Sequence, residues 1–275
     1  MKTISILMPL ISAAYIASSL LYLHYFLTGK QSTEKVGLCI LWAGFVAQTV
    51  VLVMEYVSLD RFPVIDMRES LCFFSWSMAC MYLAVRARRQ AAPLGTFIIP
   101  IIAVFFISCA LMQRTSPVPD DRFATALFPL HIMLSFLGYS AFTLSFGSGI
   151  MYLMQEKALK SRRPGKVLER LPSIKTLDAM TYHSLVLGFP LLTLGIIIGA
   201  IWLYRLQGVF LTWDPKIPAT AVMWLLYAGI LHARLIAGWR GRRLAMTSVL
   251  GYVLLLFTFL GAGIISKGFH GFFEP

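Results

Sequence analysis

Eight stretches of this 275-residue chain contain no Asp, Glu, Lys or Arg: residues 4–27, 36–54, 70–85, 94–112, 126–154, 179–204, 217–233 and 244–266. A helix needs roughly 20 apolar residues, at 1.5 Å each, to cross about 30 Å of hydrocarbon. Most of the runs meet that length. They are too long for barrel strands and show no alternation of period two. The chain is therefore read as an all-α integral membrane protein of about eight transmembrane helices. Composition agrees, since only 13% of residues are charged against about 25% in soluble domains. The run 70–85 is short. It spans if Arg68 and Arg86 reach opposite interfaces, and otherwise it is partly re-entrant.

Charge sets the orientation. The connections holding Lys30 and Lys35, then Arg86, Arg88 and Arg89, then seven basic residues within 157–175, then Arg234, Arg240, Arg242 and Arg243, carry 16 of the 24 basic residues. The alternate connections carry 8. The positive-inside rule makes the first set cytoplasmic, so both termini lie outside. The loop QEKALKSRRPGKVLERLPSIK is then a topology signal with membrane lipid as its contact, and nucleic-acid binding is excluded as the meaning of the +12 net charge. The first run is too long for a secretion signal and is read as a span. Cys39, Cys72, Cys80 and Cys109 all fall inside runs, with no C-x-x-C, and read as apolar packing. No buried acid suggests a proton relay, which weighs against a transporter.

The connection LTWDPKIP, between the sixth and seventh runs, places Trp213 at the outer interface with Asp214 and Lys216 in water. On spacing alone it is an interfacial anchor. The five histidines fall at two levels. His131 and His270 share the outer level with Trp213, while His24, His183 and His232 lie at the inner one. Paired imidazoles in an apolar, aromatic setting suit haem iron, with flat walls for the macrocycle and basic groups for its propionates. Trp202, Trp213, Phe210, Phe269, Phe272 and Phe273 are candidate walls, and Lys216 or Arg205 candidate propionate partners. Zinc is the competing metal, but no HExxH or Cys/His cluster is present.

The segments YHSLVLGFPLLTLGIIIGAIW, TWDPK and WLLYAGILHARLIAGWRGRRLAMTSVLGYVLLLFTFLGAGIISKGFHGF resemble the haem-handling core of the CcsA/CcmC-type, tryptophan-rich cytochrome c assembly family. So do FPVIDMRESLCFFSW, with Pro63, Glu69 and Trp76, and HIMLSFLGYSAF. The resemblance implies a two-span segment at 1–59 and a haem-handling domain at 60–275. It implies non-covalent haem b ligated axially by His131 and His270, with Trp213, Asp214, Pro215 and Lys216 as a platform. It further implies an inner station at His232, with His183 or His24 as a second ligand. The implied partners are haem, apocytochrome c and a second assembly protein of a cytochrome c synthase, in a bacterial cytoplasmic membrane. The family loop typically has further tryptophans and a glutamate after the lysine, where this chain has Ile217. That shortened loop also resembles the HemX/YpjD branch, which implies the alternative of a regulator of haem synthesis acting through the basic loop.

Two structural expectations complete the reading. Glu55 and Glu69 pair with Arg61 or Arg68, and the small residues Gly195, Gly199 and Ala200 allow close helix contact.

Overall fold

A computed structural model describes residues 2–87, 89–113, 125–161, 170–210 and 216–261. Among them lie eight α-helices: α1 (Lys2–Thr28), α2 (Gln31–Leu59), α3 (Met67–Arg86), α4 (Gly95–Leu111), α5 (Leu127–Ser161), α6 (Ile174–Gln207), α7 (Lys216–Leu235) and α8 (Arg242–Leu256). A 3-10 turn (Arg89–Leu94) precedes α4 and a π-helical turn (Phe257–Gly261) continues α8. No strand occurs among the described residues. Six helical stretches are long and apolar enough to cross a membrane, those over α1, α2, α4, α5, α6 and α8. The chain packs as two units, residues 1–117 with 154–176, and 118–153 with 177–275.

In the first unit α1 packs on α2 and α4, and α3 packs on α2 and α4. Its exposures are inverted relative to a protein in water. Val57 is 72% exposed and Leu10 59%, whereas Glu55, Gln48 and Ser18 are fully buried. That pattern is what a hydrocarbon solvent selects, because an unsatisfied polar group there is costly. The polar groups meet one another instead. Gln48 accepts from the Tyr15 hydroxyl (2.5 Å) and donates to Cys72 O (2.9 Å) and Ser75 Oγ (2.8 Å). Trp76 Nε1 donates to Thr49 Oγ1 (2.8 Å). Glu34 is held by the Arg86 guanidinium, whose Nε lies 3.0 Å away.

The run 70–85 becomes one continuous helix of 20 residues. It is buried on nearly all sides, Ser70, Ser75 and Ser77 included, so it needs no continuous apolar face toward lipid. Asp66 caps α3 by accepting from Glu69 N (2.7 Å), while the Glu69 carboxylate accepts from Ile65 N and both Arg61 Nη atoms (2.9 Å each). Arg68 pairs with Glu55 at 3.0 Å. Both acids therefore pair with the loop arginines as expected. They are buried rather than solvated, however, and Glu34 and Glu55 lie within α2, so the absence of buried acids read from the sequence is corrected.

In the second unit, α7 packs on α8. Phe142 of α5 stacks on Tyr227 of α7 at 3.7 Å, and Thr143 Oγ1 donates to the Tyr252 hydroxyl of α8 (3.2 Å). Trp224 Nε1 ties α7 to α6 through Thr193 Oγ1 (2.9 Å).

Removing one member of a buried ion pair leaves the other charge uncompensated, at about 3–5 kcal/mol. Glu55→Leu should destabilise the protein by that amount in a denaturant titration in detergent. Glu55→Leu with Arg68→Met should recover most of the loss. Simple additivity of the two single costs would show that the pair is not coupled.

Candidate functional site

His131 lies in the second turn of α5, half-buried. Its Nδ1 is 2.7 Å from Gly195 O on α6. A carbonyl only accepts, so Nδ1 carries a proton, and in the neutral ring the lone pair is then on Nε2. That is the tautomer in which a metal-binding imidazole is usually held, with one nitrogen anchored to backbone and the other directed elsewhere.

The slot exists because α6 lacks side chains there. A Cβ on Gly199 would sit 2.5 Å from His131 Nδ1, and one on Gly195 would sit 2.5 Å from Ser135 Oγ. Further along the pair, a Cβ on Gly138 would sit 3.0 Å from Leu192 N and 3.1 Å from Gly188 O. The α5 residues His131, Ser135, Gly138 and Phe142 and the α6 residues Gly188, Leu192, Gly195 and Gly199 each recur at three- and four-residue steps, so each set lines one helix face. The close contact expected of Gly195 and Gly199 is present, and it serves the histidine directly. One turn beyond, Phe128 packs on Trp202 (5.0 Å). Trp202 is only 3% exposed and packs within the α5/α6 contact. Phe210 is exposed and stacks on Tyr204 at 4.3 Å.

His270, Trp213, Asp214 and Pro215 lie outside the described residues, as does the side chain of Lys216. The last described turn reaches toward the His131 region, because Phe259 packs edge-on against Phe136 (5.5 Å) and Tyr139 (6.4 Å) of α5.

His183 and His232, which the charge distribution assigns to the inner level, are both exposed. Sequence reasoning missed the group that fixes their helices. Asp178 near the start of α6 accepts from Arg234 Nη2 (2.7 Å) and from Gly241 N (2.6 Å), and Arg234 also donates to Trp239 O (2.9 Å) and covers the Tyr182 ring at 5.0 Å. Asp178 and Arg234 are 56 residues apart, so no local spacing marks the pair. The clamp holds the end of α7, with His232, against the start of α6, within about two turns of His183 at 1.5 Å per residue. Among the described residues no group of three or more His, Cys, Asp or Glu side chains gathers as a metal cluster.

The slot makes a paired prediction. Gly199→Ala drives a methyl into the His131 ring and should destabilise by about 1–3 kcal/mol. Gly229→Ala, where nothing described lies within 4 Å, should be neutral or stabilising by up to about 1 kcal/mol. Thermal unfolding in detergent compares the two, and equal midpoints would remove the close packing of His131 on α6.

The cytochrome c assembly protein family model matches residues 64–270. The chain is 28% identical over 245 residues to the cytochrome c biogenesis protein CcsA of Guillardia theta, covering 82% of this chain and 81% of that protein. It is 29% identical over 273 residues to CcsA of Synechococcus sp. (strain RCC307), covering 88% and 86%. Among solved structures, the cytochrome c heme lyase CcmF matches with a TM-score of 0.68 at 18% identity over 92% of this chain. This chain spans 46% of CcmF's length, and the likeness is one of fold. The HemX-like alternative draws no support from these comparisons. The resemblance read in the histidine and tryptophan segments is thus met across most of the chain, which belongs to the cytochrome c assembly protein family.

Proposed function

We propose that this protein handles haem in cytochrome c biogenesis, receiving it on the inner side of a bacterial cytoplasmic membrane and presenting it outside for attachment to apocytochrome c. The observation that carries the reading is the His131 Nδ1 to Gly195 O hydrogen bond. It fixes the tautomer whose Nε2 suits an axial iron bond, and it orients the ring with a rigid backbone acceptor instead of a mobile side chain. Haem b, bound non-covalently, is the cargo in this reading. His131 and His270 are its outer ligands, with Trp213, Asp214, Pro215 and Lys216 as the platform beside it.

Chain length favours His270 as the second ligand. Phe259 already touches Phe136, and Phe136 is five residues, about 8 Å, along α5 from His131. The eleven residues from 259 to 270 extend up to roughly 36 Å, which is ample to close that distance. The inner station is His232 with His183, on helices clamped by Asp178 and Arg234.

In the topology that goes with this reading, α3 and α7 also cross, giving eight spans with both termini outside. Residues 1–59 form the N-terminal two-span segment and 60–275 the haem-handling domain. A second assembly membrane protein completes the synthase. No side chain described supplies a catalytic base, and none is required of this chain. The attacking thiols belong to the apocytochrome, so the protein contributes orientation.

Purified from haem-replete cells, the protein should show a bis-histidine b-type spectrum, and the His131→Ala/His270→Ala variant should lose it while eluting as the same folded species. Unchanged haem content in that variant would overturn the assignment.

A further inference from the structure

We propose that the turn between α7 and α8 binds the phosphate headgroup of an anionic phospholipid, whose acyl chains run along the exposed face of α8. Charge at this turn is unbalanced. Arg240, Arg242 and Arg243 are all exposed, and the first turn of α8 holds no acid. Asp178 does reach the turn, but its carboxylate is shared between Arg234 and Gly241 N. No ion pair among the described residues takes up Arg240 or Arg243. Apolar surface begins directly beside these guanidinium groups. Arg243, Met246, Leu250, Val253 and Phe257 recur at three- and four-residue steps, so Arg243 stands at the head of one helix face. The four apolar members of that face are 43–67% exposed. Leu235 (65%) and Ile236 (75%) are exposed at the end of α7, just before the turn.

Basic residues that only set topology need no fixed geometry. These arginines are mounted on a braced turn. Gly238 and Gly241 take left-handed φ angles of 64° and 66°, and Trp239 N folds back to donate to Ala233 O at 3.1 Å. Arg234 donates to Trp239 O (2.9 Å) from the end of α7, and Asp178 holds Gly241 N (2.6 Å) from the start of α6. From α5, Tyr152 closes the other side: a Cβ on Gly241 would lie 2.6 Å from its hydroxyl oxygen. Arg243 rests over the Trp239 ring at 6.0 Å. The stretch from residue 242 to 261 is long and apolar enough to cross a membrane, so its first residues meet the headgroup layer. A fixed cationic turn above an apolar helix face matches a phospholipid in both its parts, the phosphate and the acyl chains. A free phosphate would use only the first. The site does not depend on the haem reading.

The test is native mass spectrometry of the full-length protein in detergent, titrated with phosphatidylglycerol or with phosphatidylcholine of the same acyl chains. Phosphatidylglycerol should bind the more tightly. A basic residue at an anionic lipid surface is worth about fivefold in affinity. Arg240→Gln and Arg243→Gln should therefore each weaken phosphatidylglycerol about fivefold, and the double variant about 25-fold, with phosphatidylcholine unchanged. Lys30→Gln/Lys35→Gln removes the same charge from the connection between α1 and α2, and should keep the preference. Equal binding of the two lipids, an unchanged preference in the arginine variants, or an equal loss in the lysine variant would overturn the proposal. Displacement of the lipid by equimolar inorganic phosphate at constant ionic strength would overturn it too, by showing a site for free anions.

Discussion

Apolar helices gain no hydrophobic energy by leaving lipid for one another, so contact between them must rest on packing and polar pairing. Both are visible here, and each has its own place. The first unit is joined by buried polar groups: Glu55 with Arg68, Glu69 with Arg61, Glu34 with Arg86, and Gln48 with three partners. A buried ion pair contributes little net stability, but losing half of it is expensive, so such pairs penalise every arrangement in which the partners are apart. In the second unit, α5 and α6 meet through glycines and small side chains, where close approach supplies dispersion contacts and brings a histidine within reach of a backbone carbonyl.

The same constraint explains how a membrane helix can position a ligand. A histidine facing lipid would be costly and free to rotate. Seated on Gly199, with Nδ1 donating to Gly195 O, His131 has its ring plane fixed by the backbone. The Phe128–Trp202 contact closes the helix pair one turn beyond. The α6 glycines thus act through geometry, by having no side chain to fill the space the imidazole occupies.

Most of the fold was legible in the sequence because lipid imposes so direct a rule on chain length. Among the described residues each of the eight charge-free runs is helical over nearly all of its length, and the pairing of Glu55 and Glu69 with Arg68 and Arg61 was readable from proximity alone. What escaped was long-range pairing. The charge-free run begins only at residue 36, with Lys30 and Lys35 placed in a connection, yet Arg86, 52 residues from Glu34, pairs with it and the helix begins at Gln31. Asp178 drew no notice for the same reason, its partner being Arg234 on another helix. Of the proposed site, His131 was singled out from its level and its neighbouring residues. Its orienting carbonyl was not, since backbone atoms leave no mark in a sequence beyond the glycines that expose them. The packing of Trp202 on Phe128 was not legible either, because aromatic content at the right level does not reveal which way a ring faces.

The central claim is that His131 Nε2 is an iron ligand at a site shaped by α6. Low-temperature electron paramagnetic resonance and near-infrared magnetic circular dichroism of the oxidised, haem-loaded protein test it most directly. The account predicts a low-spin bis-imidazole ferric signal that gives way to another ligation state in His131→Ala and is restored by added imidazole. The same bis-imidazole signal, unaltered in that variant, would contradict it.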